Sequence, residues 1–387
     1  MLKICRTTAA VFLSASVLTG GFAAAVQAKG FAVVHTFAGT PNDGDRPMAP
    51  VIFDSAGNLY GTTYSGGPSN HGTIFKIDVH GTETLLHSFD GGSGGNLPAG
   101  GLTIDEATGD LYGVTQGGGT FGDGALYTLT ANGTFTVLHS FDNTHDGEFP
   151  QWRMISDKQG NLYGVAPAGG TIGNGTLFKY SKDGEFTVLH DFDSSASTPS
   201  GRLAQDKKGN LYGTDELGGT STACFGHGCG SIYRLAVNGT FSTLYSFTDG
   251  DDGRAPVGGL TIDKKGNLYG AAGYDGSGGF GTVFVLSAKG EFATLFSFNN
   301  TNGNSPVGEV LLLNNDLYAT AYTGGANNLG TVVRVSPKGV GKVLHVFSEN
   351  DGGLLAGGLV ESNSVLYGTA SSHGADSHGT VFNLKIK

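Results

Sequence analysis

Short apolar runs separated by glycine-rich turns recur along this chain in sets of four. One run carries Leu-Tyr-Gly, first as Asn58-Leu59-Tyr60-Gly61 and Asp110-Leu111-Tyr112-Gly113, then around Tyr163, Tyr212, Tyr269, Tyr318 and Tyr367. The successive tyrosines lie 52, 51, 49, 57, 49 and 49 residues apart. A period near fifty predicts seven copies of one structural unit rather than several unrelated domains. Each copy also holds a preceding run such as Gly101-Leu102-Thr103-Ile104, a following run such as Gly175-Thr176-Leu177-Phe178, and a closing run such as Leu138-His139-Ser140-Phe141. All four are too short and too turn-rich for helices and read as strands, here lettered a, b, c and d.

The links between runs predict how the strands pair. Strands a and b are joined by Asp-x-x-Gly-Asn, as at Asp54, Asp157, Asp206 and Asp263, where the carboxylate bonds nearby amides and glycine takes positive φ. Strands c and d are joined by Asn132-Gly133, Asp183-Gly184, Asn238-Gly239 or Lys289-Gly290, of which the Asn-Gly and Asp-Gly forms are strong hairpin signals. Each unit is therefore expected to be a four-stranded antiparallel meander. A lone meander would expose two apolar faces, whereas seven set radially cover each other. The predicted fold is all-β, a seven-bladed β-propeller. The first run after the N-terminal segment is a d strand, 31–37, and the last is a c strand, so the ring should close by pairing the N-terminal strand with the last blade.

Composition supports strands and turns: 68 of 387 residues are glycine and only 14% are charged. Residues 1–28 differ. Lys3 and Arg6 precede an apolar stretch, and Val26-Gln27-Ala28 fits a small-x-small cleavage site, predicting a signal peptide removed before Lys29 and a propeller spanning 29–387. No later run is apolar enough to span a bilayer. Export places Cys224 and Cys229 in an oxidising compartment, where a disulfide is expected; a zinc site with His227 is the rival, but no fourth ligand follows at a recognisable spacing. Loss of Lys3 and Arg6 takes the formal net charge from −11 to −13, which disfavours nucleic acid and anionic lipid as partners.

The repeated Leu-His-Ser-Phe, Asp-Gly, Gly-Gly-Leu, Gly-Asn-Leu-Tyr-Gly and Gly-Thr-Val-Phe elements resemble the GloVer tandem repeat (Gloeobacter/Verrucomicrobia type) of exported bacterial proteins, over nearly all of residues 29–387. The resemblance implies an exported repeat protein of unassigned activity, often with a C-terminal sorting or anchoring segment. The expectation here is that the chain ends within its last strand without one. Kelch and quinoprotein propellers fit less well, because their recurrent tryptophans are missing and Trp152 is the chain's one tryptophan.

The a–b and c–d turns are uniformly short, while the b–c and d–a loops are long and variable, so the latter face is the candidate binding face. Its d–a loops repeat Asp/Asn-Gly at Asp43, Asp146, Asp252, Asn302 and Asp351. Such turns need no ion, but Asp249, Asp251 and Asp252 in one loop are the best place for a calcium.

Residues that break the internal repeat point to function. The start of strand a reads Pro50, Gly101, Arg153, Arg202, Gly259, Glu309 and Gly358. Three residues past the repeat tyrosine, blade four alone has an acid, Asp215, followed by Glu216. Trp152, Arg153, Arg202, Asp215, Glu216 and His227 are thus expected in one sector. There the guanidiniums could clamp a carboxylate-bearing ligand such as a uronate, with Trp152 as a stacking floor, and Asp215 or Glu216 would be the general acid or base of any enzyme. The rival is that both arginines pair with Asp215 or the loop aspartates. The strand-d histidines, such as His35 and His139, give way to Tyr245 and Phe296 and so read as half-buried flat side chains rather than metal ligands or proton relays.

These residues predict an exported monomer, periplasmic or extracellular, that binds extracellular glycan or a partner protein. The alternative is a propeller enzyme, hydrolase or lyase, on sugars or lactones, calcium-assisted or not. A structural cell-surface role comes third.

Overall fold

The structure, a computed structural model, describes residues 30–193, 195–224 and 226–386. The expected signal peptide lies outside them. Seven four-stranded antiparallel sheets form the blades, in the a-b-c-d order that the repeat predicts. Blade three is representative, with Ile155–Ser156, Leu162–Ala166, Thr176–Tyr180 and Phe186–Asp191. The ring closes as expected: the N-terminal strand Phe31–Thr36 pairs antiparallel with Thr380–Lys385, Phe31 opposite Leu384 and Thr36 opposite Thr380. No helix among the described residues is long and apolar enough to cross a membrane.

The recurrent motifs have physical causes. The leucine of Leu-Tyr-Gly is buried in every blade. Its tyrosine reaches back to the a–b turn: Tyr163 Oη donates to Asp157 at 3.0 Å, and Asp157 also accepts the Gln159 and Asn161 amides and the Asn161 side chain. The same arrangement holds at Asp54, Asp206 and Asp263. The motif's glycine lies under the aromatic ring opposite it on strand c. A Cβ on Gly61 would sit 2.5 Å from Phe75, and one on Gly270 would sit 2.6 Å from Phe284. Blade six has Ala319 there, and its strand-c partner is Val333 in place of a ring. The larger b residue is matched by the smaller c residue, a volume-conserving exchange.

The core consists of seven interfaces between blades. The phenylalanine closing each d strand is fully buried, and six of the seven meet the next blade's strand-c ring edge-on, as in Phe141–Phe178 at 5.2 Å and Phe192–Tyr233 at 5.1 Å, while Phe298 faces the blade that has Val333 there. Farther out, the strand-d histidine or tyrosine stacks flat on the aromatic that begins strand d of the following blade. Five such pairs, from His139–Phe186 at 3.7 Å to His190–Phe241 at 4.0 Å, lie within 6° of parallel. A sixth interface is inverted, with Phe296 lying over Gly341.

Candidate functional site at the channel mouth

The ends of the seven d–a loops and the starts of the seven a strands converge at one end of the central channel. The cavity there is about 50 Å³, and its charged lining residues are Arg153, Arg202 and Glu309. Arg153 Nη2 lies 3.1 Å from Glu309 Oε2, and Arg202 Nη1 lies 2.7 Å from Glu309 Oε1. One carboxylate of blade six thus holds two guanidiniums of blades three and four across the ring. Burial pushes the Glu309 carboxyl up, but Arg202 and Arg153 outweigh it and keep it below its usual range. Burial also lowers Arg153, with Arg202 adding repulsion and Glu309 opposing both.

The partner expected for these arginines on sequence grounds, Asp215 or a loop aspartate, is therefore replaced by Glu309. Its place among the strand-a starts was visible in the sequence as a third charged residue in a row that otherwise holds glycine and Pro50. The pairing depends on ring geometry, because Arg153 and Glu309 are 156 residues apart. Three donors remain unpaired at this site, the Nε atoms of Arg153 and Arg202 and Nε1 of Trp152. Arg202 also lines a cleft of about 450 Å³ with Asp157, Lys158, Asp206 and Lys207, residues of the tight-turn face. Arg202 therefore borders both the mouth and this cleft.

Asp215 does not line this mouth. It is fully buried, accepts a hydrogen bond from Ser231 Oγ at 2.6 Å, and has Oδ1 unpartnered. Burial pushes its carboxyl up to about 8 despite the Ser231 bonds. Its position has a local cause. In the other blades a d–a glycine such as Gly147 or Gly253 packs on the small residue at this place, Ala166 or Ala272. Blade four's d–a link is two residues shorter, comparing Phe192 to Arg202 with Phe141 to Arg153. Its chain instead zips into a ten-residue strand, Ala196–Gln205, with Pro199 opposite Asp215. Glu216, whose carboxyl is also raised by burial, is likewise absent from the mouth.

His227 is exposed on the loop closed by the Cys224–Cys229 disulfide, whose Cα atoms are 5.2 Å apart, and it too lies outside the mouth. The blade-five loop acids have separate partners. Asp252 accepts the Tyr245 hydroxyl at 2.8 Å, the Thr248 amide and hydroxyl, and the Gly250 amide. Asp249 lies 3.0 Å from Arg254, which also pairs with Asp275. Asp251 accepts Thr294 Oγ1 through its backbone carbonyl. The aspartates of other d–a loops likewise face a strand-d histidine, as in His139–Asp146 at 2.7 Å and His345–Asp351 at 3.2 Å.

The sequence profile of the Gloeobacter/Verrucomicrobia repeat matches residues 18–227 and 219–382. No curated protein matches the chain. Among solved structures, virginiamycin B lyase from Staphylococcus aureus is similar, with a TM-score of 0.60 at 13% identity over 92% of this chain and 100% of that one. A streptogramin B lyase has a TM-score of 0.57 at 14% identity over 94% and 100%. At such identities the likeness is one of fold.

Proposed function

From the premise that this chain belongs to the Gloeobacter/Verrucomicrobia repeat family, we propose that it is an exported binding module whose channel mouth takes the anionic end of an extracellular ligand, a uronate-bearing glycan in the first instance. The observation that carries this reading is the charge at the mouth. Two guanidiniums share one carboxylate, leaving a net positive charge and three unpaired N–H donors, the Nε of each arginine and Nε1 of Trp152. A buried donor without a partner costs about 1–3 kcal/mol, which an incoming acceptor offsets. Arginine is suited to planar carboxylates, and tryptophan to the apolar face of a sugar ring.

Binding is favoured over catalysis because the mouth's acid, Glu309, is ionised and held by both arginines, while Asp215 is sealed in blade four. A cavity of about 50 Å³ holds a few waters or one carboxylate, not a whole sugar, so the remainder of the ligand would lie on the loops. Export is supported by the leader-like sequence of residues 1–28 and by the disulfide.

The test is calorimetric titration with oligogalacturonate and with a neutral oligosaccharide of equal length. Replacing Arg153, Arg202 and Glu309 together by glycine, the residue of blades two, five and seven, removes the site without stranding a charge. Acid-selective binding that this triple variant loses is expected. No binding by the unaltered chain, or equal binding by the variant, refutes the reading.

A further inference from the structure

At the interface between blades seven and one, the aromatic stack of the outer strands is replaced by charged residues. The residue beginning strand d is Phe135, Phe186, Phe241 and Phe292 in blades two to five, each stacked on the preceding blade's His87, His139, His190 or Tyr245. Blade one has Glu83 at this place, and the preceding blade offers His35. His35 also faces a d–a loop aspartate, Asp43, as His139 faces Asp146. Among the described residues, His35, Asp43 and Glu83 are the one set of three such side chains whose ligand atoms all lie within 4.8 Å of one another.

We propose that His35, Asp43 and Glu83 bind a divalent transition cation, zinc foremost, which joins blade one to blade seven where five of the other interfaces use stacked rings. His35 Nε2 is buried and makes no hydrogen bond, although it lies 3.4 Å from Asp43 Oδ2. That separation matches the edge of a tetrahedron with metal–ligand bonds of about 2.0–2.1 Å, roughly 3.3–3.4 Å. Asp43 is oriented by the Gly44 amide at Oδ1 and the Ala38 amide at Oδ2, the kind of outer support that fixes a ligating carboxylate. Glu83 brings a second carboxylate within 4.8 Å of the other two ligand atoms, a like-charge approach that a cation between them relieves. One imidazole and two carboxylates suit zinc or manganese better than calcium, which prefers six to eight oxygens. Three protein donors leave the fourth position to water.

The experiment is zinc titration of the purified chain by calorimetry, with thermal unfolding in zinc, in manganese, in calcium and in EDTA. Glu83→Phe restores the ring found in blades two to five while removing one ligand, and Glu83→Gln removes the charge at nearly constant size. One equivalent of zinc should bind and raise the melting temperature, calcium should have little effect, and both variants should bind zinc at least tenfold more weakly. In EDTA, Glu83→Phe should melt no lower than the unaltered chain. No zinc binding by the unaltered chain, or equal binding by Glu83→Gln, overturns the proposal. The outcome is independent of glycan binding, since the channel triad contains none of these residues.

Discussion

Arg202 Nη1 and Glu309 Oε1 lie 2.7 Å apart across the central channel, joining strand a of blade four to strand a of blade six. Glu309 is the anion of both arginines, so Glu309→Gln leaves two largely buried cations facing each other. The expected loss is about 2–4 kcal/mol of unfolding free energy, and the triple glycine variant should lose less. Urea unfolding of the two variants side by side checks this ordering.

Asp215→Ala, which installs the alanine of blades three, five, six and seven, should stabilise the protein in a pH-dependent way. The folded carboxyl is raised to about 8 from a reference of 3.8, so folding favours its protonated form. The penalty of holding it in the core is absent near pH 4, grows as pH rises, and is complete above pH 8. The variant should match the unaltered chain near pH 4 and exceed it by up to about 5 kcal/mol at pH 8, read as urea midpoints at pH 4, 6 and 8.

The a–b turns titrate in the opposite sense. For Asp54, Asp157, Asp206 and Asp263, partial burial raises the carboxyl, but bonds from the turn amides, asparagine and tyrosine outweigh it and hold it below its usual range. Their contribution is full above the ordinary carboxyl range and is lost as pH falls through the lower folded values. Asp157→Ala should cost about 1–2 kcal/mol at pH 7 and flatten part of the acid limb of the stability curve, measured from pH 6 to pH 2.

Gly270→Ala should destabilise by about 1–3 kcal/mol, because the new methyl meets the Phe284 ring. Adding Phe284→Val reproduces the Ala319–Val333 pair of blade six, so the double variant should lose less than the sum of the two single changes. A double-mutant cycle in urea measures that coupling.

The blade count, strand order and turn aspartates were legible in the sequence, because each depends on contacts within about fifty residues that recur from blade to blade; ring closure was legible because the repeat begins on a d strand and ends on a c strand. The disulfide was legible from the close spacing of Cys224 and Cys229 read together with the leader-like start of the sequence. Arg153, Arg202 and Trp152 were also visible, as departures from the repeat, and they do meet at the channel mouth. Other departures of the same kind had different causes: Asp215 fills space left by a shortened loop, and His227 stays on an exposed loop. Glu309 stood in the same row of strand-a starts as the arginines, but only the closed ring brings blade six opposite blades three and four. Glu83 broke the pattern of strand d just as openly, and its meaning depends on which histidine the neighbouring blade places against it. Periodicity records what every blade shares, so local folding could be read from the chain. Contacts across the channel and between blades join residues far apart in sequence, and the tertiary structure alone decided those.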